Sequence, residues 1–297
     1  MTQQADILCI GSVLWDVIGR TASSMRVGSD VPGRITRLPG GVAMNIAMTL
    51  RRFGMTPALL TAIGRDAEGD ELVAEATRMG MVCDHIYRSE DLPTDVYMAV
   101  EGANGLIAAI ADAHSLEAAG NKILRAMANG ALGTADVPYS GTVALDGNLT
   151  EELLQDIAGS NLFQHADLRV APASPGKAER LLALLGHPSA TLYVNLEEAG
   201  LLCHMQFDDS ASAAAALIQR GAHRVLVTDG GKSASEGTQG DIITQTPPAV
   251  MVTRVTGAGD TFMAAHIASE SEGMNRATAL TRALNAAATY VSGETPL

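Results

Sequence analysis

A glycine-rich run with an acidic residue, Thr256-Gly257-Ala258-Gly259-Asp260-Thr261, precedes the last helical part of the sequence. Glycines let a backbone approach a ligand closely, and the first N–H groups of a helix attract an anion. Asp260 falls in the first predicted helical turn, where a carboxylate can accept a proton beside that anion or can interact with the helix dipole. The run therefore fits a phosphate-binding site with a base, and it fits an ordinary turn between a strand and a helix equally well.

The polar residues Asp16 and Asn45 occupy two other places where α/β proteins bind ligands. Asp16 follows the first predicted strand, and Asn45 follows the glycine pair Gly40-Gly41 at the start of a helical segment. Ligands bind beyond the carboxyl ends of strands in open α/β sheets, so these side chains and the Gly41 backbone could contact a polar substrate. Each position is also explained by a turn followed by a polar residue, without any ligand.

Asn195 and Glu198 follow a later predicted strand and are three positions apart. An amide and a carboxylate at this spacing can share one face and hold Mg²⁺ through water, because magnesium prefers oxygen ligands and retains its waters. Alternatively, Asn195 caps a helix and Glu198 is exposed. The turn that contains Thr228 and Gly230, at another strand end, allows the same two interpretations, a ligand contact or a plain turn.

Several common motifs are incomplete or missing. Gly231-Lys232-Ser233 resembles the end of a Walker A loop, but Leu226 stands where the first glycine is required. Gly257-Ala258-Gly259 lacks the third glycine of a dinucleotide fingerprint, because position 262 is Phe, and this disfavours an NAD-dependent enzyme. The seven histidines form no HExxH pattern, the three cysteines form no CxxC pattern, and there is no GxSxG run.

Short strand-like runs alternate with helix-like runs through most of the chain, which predicts a parallel sheet covered by helices. Two segments depart from this rhythm: residues 13–39, and Pro93–Ala111, which predicts two strands joined at Asn104-Gly105. We expect these two segments to pair as a small β-subdomain. The predicted strands are Ile7–Ile10, Ala58–Ile63, Val143–Asp146, Leu168–Ala171, Leu192–Asn195, Val225–Thr228 and Val250–Val252, and the predicted helices are residues 43–53, Asp66–Met79, Thr150–Ala158, Lys177–Leu185, Ala258–Ser269 and Arg276–Val291.

The composition of the 297-residue chain is that of a folded, acidic protein. Apolar residues make up 47%, enough for a substantial core, and 20 Lys+Arg against 33 Asp+Glu give a net charge of −13. Such a chain binds nucleic acid or an anionic membrane poorly, so any phosphate must be held by backbone N–H groups, metal ions or a few local cations. The scattered cysteines indicate reduced thiols, and we find neither an export signal nor a membrane-spanning run, so we expect a cytoplasmic protein.

Five blocks of the sequence, in the same order, resemble the PfkB family of ribokinase-like carbohydrate and nucleoside kinases. The matching region extends from about Gly11 to Asn285. The blocks are similar to the N-terminal signature (Gly40-Gly41, Asn45 and Gly54), the next family block (Ile63–Asp66 and Gly69), the N-x-x-E magnesium motif (Asn195–Glu198), the T-x-G nucleotide turn (Thr228–Gly230) and the C-terminal signature (Thr256–Phe262).

The resemblance implies a three-layer α/β/α sandwich that forms one kinase domain over residues 1–297, with a small β-lid from parts of 12–39 and 93–112. It implies transfer of the γ-phosphoryl group of ATP to a hydroxymethyl group of a ribosyl substrate, with Mg²⁺ and with a monovalent cation as a further candidate. A homodimer through the lid is also expected. The implied roles are proton acceptance by Asp260, phosphoryl binding by the N–H groups of Gly257, Ala258 and Gly259, sugar binding by Asp16, Gly41 and Asn45, Mg²⁺ binding by Asn195 and Glu198, and nucleotide binding by Asn195, Thr228, Gly230 and Asn285.

Within the family, three segments resemble the pseudouridine kinases, which favours pseudouridine as the acceptor, phosphorylated at its 5′-hydroxyl. They are Asn104–Asp112, Asp146–Leu149 and Ala171–Ala178, the last with Ala171 where Asp is usual. Arg254 departs from the family pattern, because many relatives carry an acidic residue at this position. The difference puts a monovalent-cation site in doubt. The alternatives are a kinase of ribose, a ketohexose or an ordinary nucleoside, and a non-catalytic sugar- or nucleotide-binding protein of the same fold.

Overall fold

The computed structural model describes residues 4–26, 28 and 30–294. In it, short aliphatic runs form the strands, and the alanine- and leucine-rich segments between them form the helices. The strands are β1 (Ile7–Ile10), β2 (Leu14–Arg20), β3 (Arg34–Gly40), β4 (Pro57–Leu60), β5 (Ala62–Gly64), β6 (Tyr87–Ser89), β7 (Val96–Gly102), β8 (Gly105–Asp112), β9 (Thr142–Asp146), β10 (Asp167–Ala171), β11 (Ala190–Asn195), β12 (Arg224–Thr228), β13 (Ala234–Thr238) and β14 (Asp241–Gln245). The α-helices are α1 (Val42–Arg52), α2 (Ala67–Arg78), α3 (His114–Ala119), α4 (Arg125–Ala128), α5 (Glu151–Gly159), α6 (Leu196–Cys203), α7 (Ser210–Gln219), α8 (Ala258–Ser271) and α9 (Arg276–Ser292). Shorter 3-10 helices cover Gly120–Leu124 and Asn161–Phe163, and a longer one covers Pro175–Leu184.

The main sheet has eight strands in the order β14-β13-β12-β11-β10-β9-β1-β4. The six strands from β12 to β4 run parallel, and β13 and β14 add an antiparallel edge. All four residues of β1 are fully buried, as expected for a parallel strand that is covered on both faces. Because the strands are parallel, their carboxyl ends lie at one edge of the sheet.

Helices cover both faces of the main sheet, and successive side chains of a strand pack against opposite layers. Leu8 and Ile10 of β1 belong to the core that includes residues of α5, α6 and α7, whereas Ile7 and Cys9 belong to the core with α1, α8 and α9. This alternation follows from the two-residue period of a strand. The predicted three-layer α/β/α sandwich is confirmed.

A second sheet, of order β3-β2-β7-β8, is formed by the two segments that interrupt the alternation of strands and helices. Strands β2 and β7 are parallel, and the two outer pairs are antiparallel. The turn between β7 and β8 is formed by Ala103 and Asn104, and Gly105, which begins β8 and pairs with Gly102, has a φ of 97°, a conformation that favours glycine. The predicted pairing of these two segments is confirmed.

Three predicted elements are corrected by the structure. The predicted strand Val250–Val252 pairs with no described strand, and its side chains are exposed where a sheet strand would be buried. The predicted strand Ala58–Ile63 is divided, because β4 stays in the main sheet while β5 leaves it to pair with β6. The predicted helix Lys177–Leu185 is a 3-10 helix over Pro175–Leu184 with its proline at the start, where proline is tolerated.

The other predicted strands and helices are confirmed, with ends that differ by at most two residues. Asp66 and Thr150 cap α2 and α5 by accepting hydrogen bonds from the N–H groups of Gly69 and Leu153, which explains why these helices begin where they do. Within residues 4–26, 28 and 30–294, no helix has the length and apolar character needed to cross a bilayer.

Candidate active site

The carboxyl ends of the parallel strands bring several of the predicted site residues to one edge of the main sheet. Asn195 pairs with Thr228 at the ends of β11 and β12, and Ala171 pairs with Asp146 at the ends of β10 and β9. Strand β1 ends beside β9, so Ser12 follows at the same edge. Ligands of open α/β sheets bind at this edge.

The glycine turn before α8 presents backbone donors to open space. Gly257 caps the helix with a φ of 88°, a conformation that favours glycine. The N–H groups of Gly259 and Asp260 lie in the first turn, where a helix offers no intrahelical acceptor. A Cβ added at Gly259 would meet no atom within 4 Å. The Ala258 N–H differs, because it donates to the Val255 carbonyl oxygen at 3.0 Å.

The Asp260 carboxylate lies in the first turn of α8 and is half-buried. Asn45 on α1 donates from Nδ2 to Asp260 Oδ2 at 2.9 Å. Burial raises the pKa of Asp260 to about 7 against the lowering effect of the Asn45 hydrogen bond, and the charges of Asp146 and Asp16 raise the pKa further. A carboxyl group whose pKa is raised toward neutral pH is suited to act as a general base.

Asp16 connects the second sheet to the same site. It pairs with Leu38 on β3 and with Tyr97 on β7, so the three side chains share one face of that sheet. A Cβ at Gly40 would lie 2.0 Å from Asp16 Oδ2, so only glycine leaves room for this carboxylate. Burial raises the pKa of Asp16 to about 6, and burial together with the charge of Asp16 raises the pKa of Tyr97.

A buried polar network links the ends of β1 and β9 to the segment after β10. The Ser12 N–H donates to Asp146 Oδ2 at 2.7 Å, and the Ser12 hydroxyl donates to the same oxygen. Asn148 Nδ2 donates to Ser12 Oγ at 3.1 Å, and Lys177 Nζ donates to Asn148 Oδ1 at 2.6 Å. Burial raises the pKa of Asp146. The lysine thus fixes the Asn148 amide with its NH₂ group toward Ser12.

Gly41 joins α1 to this network. The Val42 N–H donates to Ser12 Oγ at 2.9 Å, and a Cβ at Gly41 would lie 2.5 Å from the Ser12 carbonyl oxygen. Sequence analysis missed Ser12, although one signal was present. Gly11, which directly follows the first strand, has a φ of 149°, and its Cα lies against Asp146. A glycine at a strand end marks such a close approach.

Asn195 and Glu198 form a capping box at the start of α6. The Glu198 N–H donates to Asn195 Oδ1 at 2.9 Å, and the Asn195 N–H donates to Glu198 Oε2 at 2.8 Å. The cap interpretation is therefore correct, but Glu198 is buried and not exposed. Burial raises the pKa of Glu198 to about 7.

The same pair of residues fits Mg²⁺ held through water. The capping box uses one oxygen of each side chain and leaves Glu198 Oε1 without a donor among the described residues. Within the described ranges, no three His, Cys, Asp or Glu side chains are grouped to hold a metal ion by themselves. Magnesium bound by few protein oxygens and several waters suits this arrangement, since it dehydrates reluctantly.

Thr228, Gly230 and Asn285 have no hydrogen bond to Asp260 among the described residues. Thr228 ends β12 beside Asn195, and Gly230 has a φ of 54° with no atom within 4 Å of an added Cβ. Asn285 is exposed on α9, the helix that packs against α8. Within the predicted set, hydrogen bonds join Asn45 to Asp260, Asn195 to Glu198, and the Asn45 N–H to the Gly41 carbonyl oxygen.

Comparisons with known proteins show the family to which the chain is related. The family model described as pfkB family carbohydrate kinase matches residues 4–295. The chain is 29% identical to "Uncharacterized sugar kinase YeiI" of Escherichia coli (strain K12), over 92% of this chain and 74% of that protein. It is 28% identical to "Pseudouridine kinase" of the same organism, over 92% of this chain and 86% of that protein.

A solved structure shows the same fold. The Arabidopsis thaliana ribokinase complexed with ribose and ATP superposes with a TM-score of 0.77 at 22% identity, covering 97% of this chain and 93% of that one. The fold is therefore ribokinase-like, and kinases of this fold use ATP. With the family model matching almost the whole chain, the protein belongs to the PfkB family of carbohydrate kinases and is a phosphotransferase that acts on a hydroxyl of a sugar or nucleoside.

Proposed function

We propose that the protein phosphorylates pseudouridine at its 5′-hydroxyl, with ATP as donor and Asp260 as the base. One observation supports the catalytic role of Asp260. Its half-buried carboxylate, which accepts a hydrogen bond from Asn45, lies in the same first turn of α8 as the backbone N–H groups that have no intrahelical acceptor. Phosphoryl transfer needs positioning, charge stabilisation and a proton acceptor. A single turn of α8 supplies the last two together.

In the proposed reaction, Asp260 accepts the proton of the acceptor hydroxyl while that oxygen attacks the terminal phosphorus of ATP, and ADP leaves. The N–H groups of Gly257 and Gly259 hold the developing negative charge, as preorganised donors do in phosphoryl transfer. The Ala258 N–H joins them only when it leaves the Val255 carbonyl oxygen. Asn45 orients the base through its hydrogen bond.

Substrate and nucleotide are assigned to the two sides of this turn. Asp16, Asn45 and the Gly41 backbone bind sugar hydroxyls on the side of the second sheet. Thr228, Gly230 and Asn285 lie along the nucleotide, and Asn195 and Glu198 hold Mg²⁺ through water. When bound, Mg²⁺ neutralises charge on the phosphates. The second sheet closes over the acceptor and excludes water, which would otherwise compete as a phosphoryl acceptor.

The choice of pseudouridine rests on the resemblance of three segments and on a relative of that name, with the polar network as support. Sugar-binding groups such as Asp16 and Asn45 do not distinguish bases. We assign recognition of the base to Tyr97, on the sheet face of Asp16, and to Asn148, beside Ser12. A C-linked uracil has a ring N–H that uridine lacks, and a site that bonds this group rejects uridine strongly, because its partner is left unpaired.

The acceptor is tested by comparing kcat/KM for pseudouridine, uridine, ribose and fructose at the same ATP and Mg²⁺ concentrations, with Asp260→Asn as the blank. We expect pseudouridine to be the best substrate. Asn148→Ala should lower kcat/KM for pseudouridine while leaving the weaker value for ribose nearly unchanged. A higher kcat/KM for another acceptor refutes pseudouridine as the substrate but does not contradict the kinase activity. Because one relative is named as a sugar kinase, free sugars are the main alternative acceptors.

We also propose a homodimer formed through the second sheet, and a cytoplasmic location. Met98 pairs with Ile110, and by alternation Ile35 shares their face, which lies opposite the face of Asp16. All three side chains are exposed, Ile110 to 68%. An exposed apolar sheet face of this kind is typical of an interaction surface. The three free cysteines fit a reducing compartment.

A further inference from the structure

Arg254 lies beside the C-terminal end of α9, three residues before Gly257. Its Nε donates to the Tyr290 carbonyl oxygen at 2.7 Å, and its guanidinium lies 3.8 Å from the centroid of the Tyr290 ring. The N–H groups of Thr253 and Arg254 donate to the Val291 carbonyl oxygen at 2.8 and 3.3 Å. The last carbonyls of a helix carry partial negative charge, and a cation beside them is stabilising. Arg254 supplies that cation.

Tyr290 extends this contact to the glycine turn. Its hydroxyl donates to the Thr256 carbonyl oxygen at 2.8 Å, immediately before Gly257. A Cβ at Gly257 would lie 2.6 Å from the Tyr290 hydroxyl oxygen, so the phenol packs directly on the turn. The carbonyl of Thr256 belongs to the peptide whose N–H is that of Gly257. Fixing this peptide fixes where the following N–H groups point.

Packing contributes little to holding the segment before the turn. Met251 is 81% exposed and Val255 is 69% exposed, so these apolar side chains do not anchor it. Arg254 is exposed as well and makes its contacts to α9 through hydrogen bonds and the Tyr290 ring. The orientation of the turn therefore depends on a few polar contacts and not on a core.

We propose that Arg254 and Tyr290 are positioning residues that clamp the turn Thr256–Gly259 to the end of α9 and so hold Asp260 and its neighbouring N–H groups in place. The guanidinium of Arg254 supplies a positive charge at the last carbonyls of α9, where a helix favours a cation. The catalytic consequence rests on the proposed function of Asp260. The structural consequence, an ordered turn, does not.

The test compares Arg254→Gln and Tyr290→Phe with Arg282→Gln as the matched control. Arg282 is also on α9 and also lies over an aromatic ring, that of Phe53 at 5.0 Å, but it does not contact the turn. The first measurement is amide hydrogen exchange of the peptide that contains the turn. We expect exchange at least about tenfold faster in both clamp variants and unchanged in the control, since local opening controls exchange. Equal exchange in all three variants overturns the clamp, whatever the acceptor is.

The second measurement is kinetic, on the best acceptor found, in buffer without potassium, sodium or ammonium. A small displacement of catalytic groups costs up to about 10²-fold in rate, so kcat of Arg254→Gln should fall at least about tenfold while KM for the acceptor changes less than about twofold. Arg254→Lys, or added potassium or guanidinium chloride, should restore part of the loss, because each returns a cation to the α9 carbonyls. A wild-type requirement for added cations, or no rescue by any of these, refutes the cation role. If exchange responds and kcat does not, the clamp stands as a structural feature and its catalytic consequence is refuted, while the role of Asp260 is decided separately by the Asp260→Asn variant.

Discussion

Replacing Asp260 by Asn should abolish phosphoryl transfer and, at the same time, stabilise the folded protein above neutral pH. The amide is close in shape to the carboxylate, and its oxygen can still accept the hydrogen bond from Asn45 Nδ2. The substitution therefore removes the charge and the proton acceptor but keeps the contact. Loss of a general base lowers kcat by about 10²- to 10⁴-fold.

The stability gain follows from the raised pKa of Asp260. The folded protein moves this pKa from 3.8 to about 7, mainly by burial, so it prefers the neutral acid. Between these two values the folded state binds more protons than the unfolded state, and stability falls as the pH rises through this range. Each pKa unit corresponds to about 1.4 kcal/mol, which sets an upper bound of about 4 kcal/mol. Partial exposure of the carboxylate screens the effect, so about 1–3 kcal/mol is expected at pH 8.

The assay is urea unfolding of both proteins at pH 4.5 and pH 8. Because pH 4.5 lies less than one unit above the unfolded pKa of 3.8, the gain in stability of the variant should be small there, and at pH 8, above both pKa values, it should reach its full size. Asp156→Asn, on the exposed face of α5, is the control and should show no such pH dependence. A difference that is the same at both pH values, or transfer at nearly the wild-type rate, would refute the reasoning.

Three further predictions concern the contacts around this base. Asn45→Ala removes a hydrogen bond that favours the ionised base, so the acidic limb of the pH profile of kcat/KM should move upward by about one pH unit, and an unmoved limb contradicts the contact. Glu198→Ala should shift the Mg²⁺ titration of activity to higher concentration, whereas Glu197→Ala, at an exposed position, should not. Because the pKa of Glu198 is about 7 and the ionised carboxylate binds the metal, the affinity of the wild type for Mg²⁺ should rise between pH 6 and 8. Ile110→Lys should give a monomer by light scattering where the wild type is a dimer, with exposed Leu201→Lys as the control, and a wild-type monomer refutes the proposed dimer.

The elements that place the site could be predicted because their signals are local. The strand Ile7–Ile10 is a short buried run, Asp66 and Thr150 are helix caps, and Asn104-Gly105 marks a hairpin turn, and each depends on neighbouring residues only. The glycine turn before Asp260 was equally visible, since glycine at a positive φ is required where a helix begins at a ligand-facing turn. For such a motif, a ligand-binding turn and an ordinary turn remain equally good interpretations until the neighbours of the turn in the folded protein are known.

The contacts that distinguish those possibilities are long-range, and the sequence does not carry them. Asn45 and Asp260 are 215 positions apart, and Ser12 and Asp146 are 134 positions apart. The burial of Glu198 likewise depends on the neighbours of α6 and not on its spacing from Asn195. For the same reason Val250–Val252 was wrongly predicted as a strand, because a short β-branched run forms a strand only where a partner strand is present.

Carboxyl groups at the amino ends of the main sheet show what a purely structural arrangement looks like in this protein. Arg224, the first residue of β12, lies 2.6 Å from both Glu236 and Glu270, and Arg169 pairs with Glu270 as well. Burial alone would raise the pKa of Glu270, but these arginines lower it to about 2. The charges are therefore compensated within the chain, as buried ion pairs must be.

Near the carboxyl edge of the main sheet, and on the adjoining strand β2 of the second sheet, the acidic side chains lack such arginine partners. Asp16, Glu198 and Asp260 are wholly or partly buried, their pKa values are raised to between about 6 and about 7, and no arginine or lysine of the described chain pairs with them. Carboxyl groups with raised pKa values and no charged partner are typical of functional sites, and the proposed function would supply sugar hydroxyls, a proton to be transferred and a divalent cation as their partners. This contrast supports the proposed active site at the carboxyl edge without using any motif, because acidic side chains are paired with arginines at one end of the sheet and have no charged partner at the other.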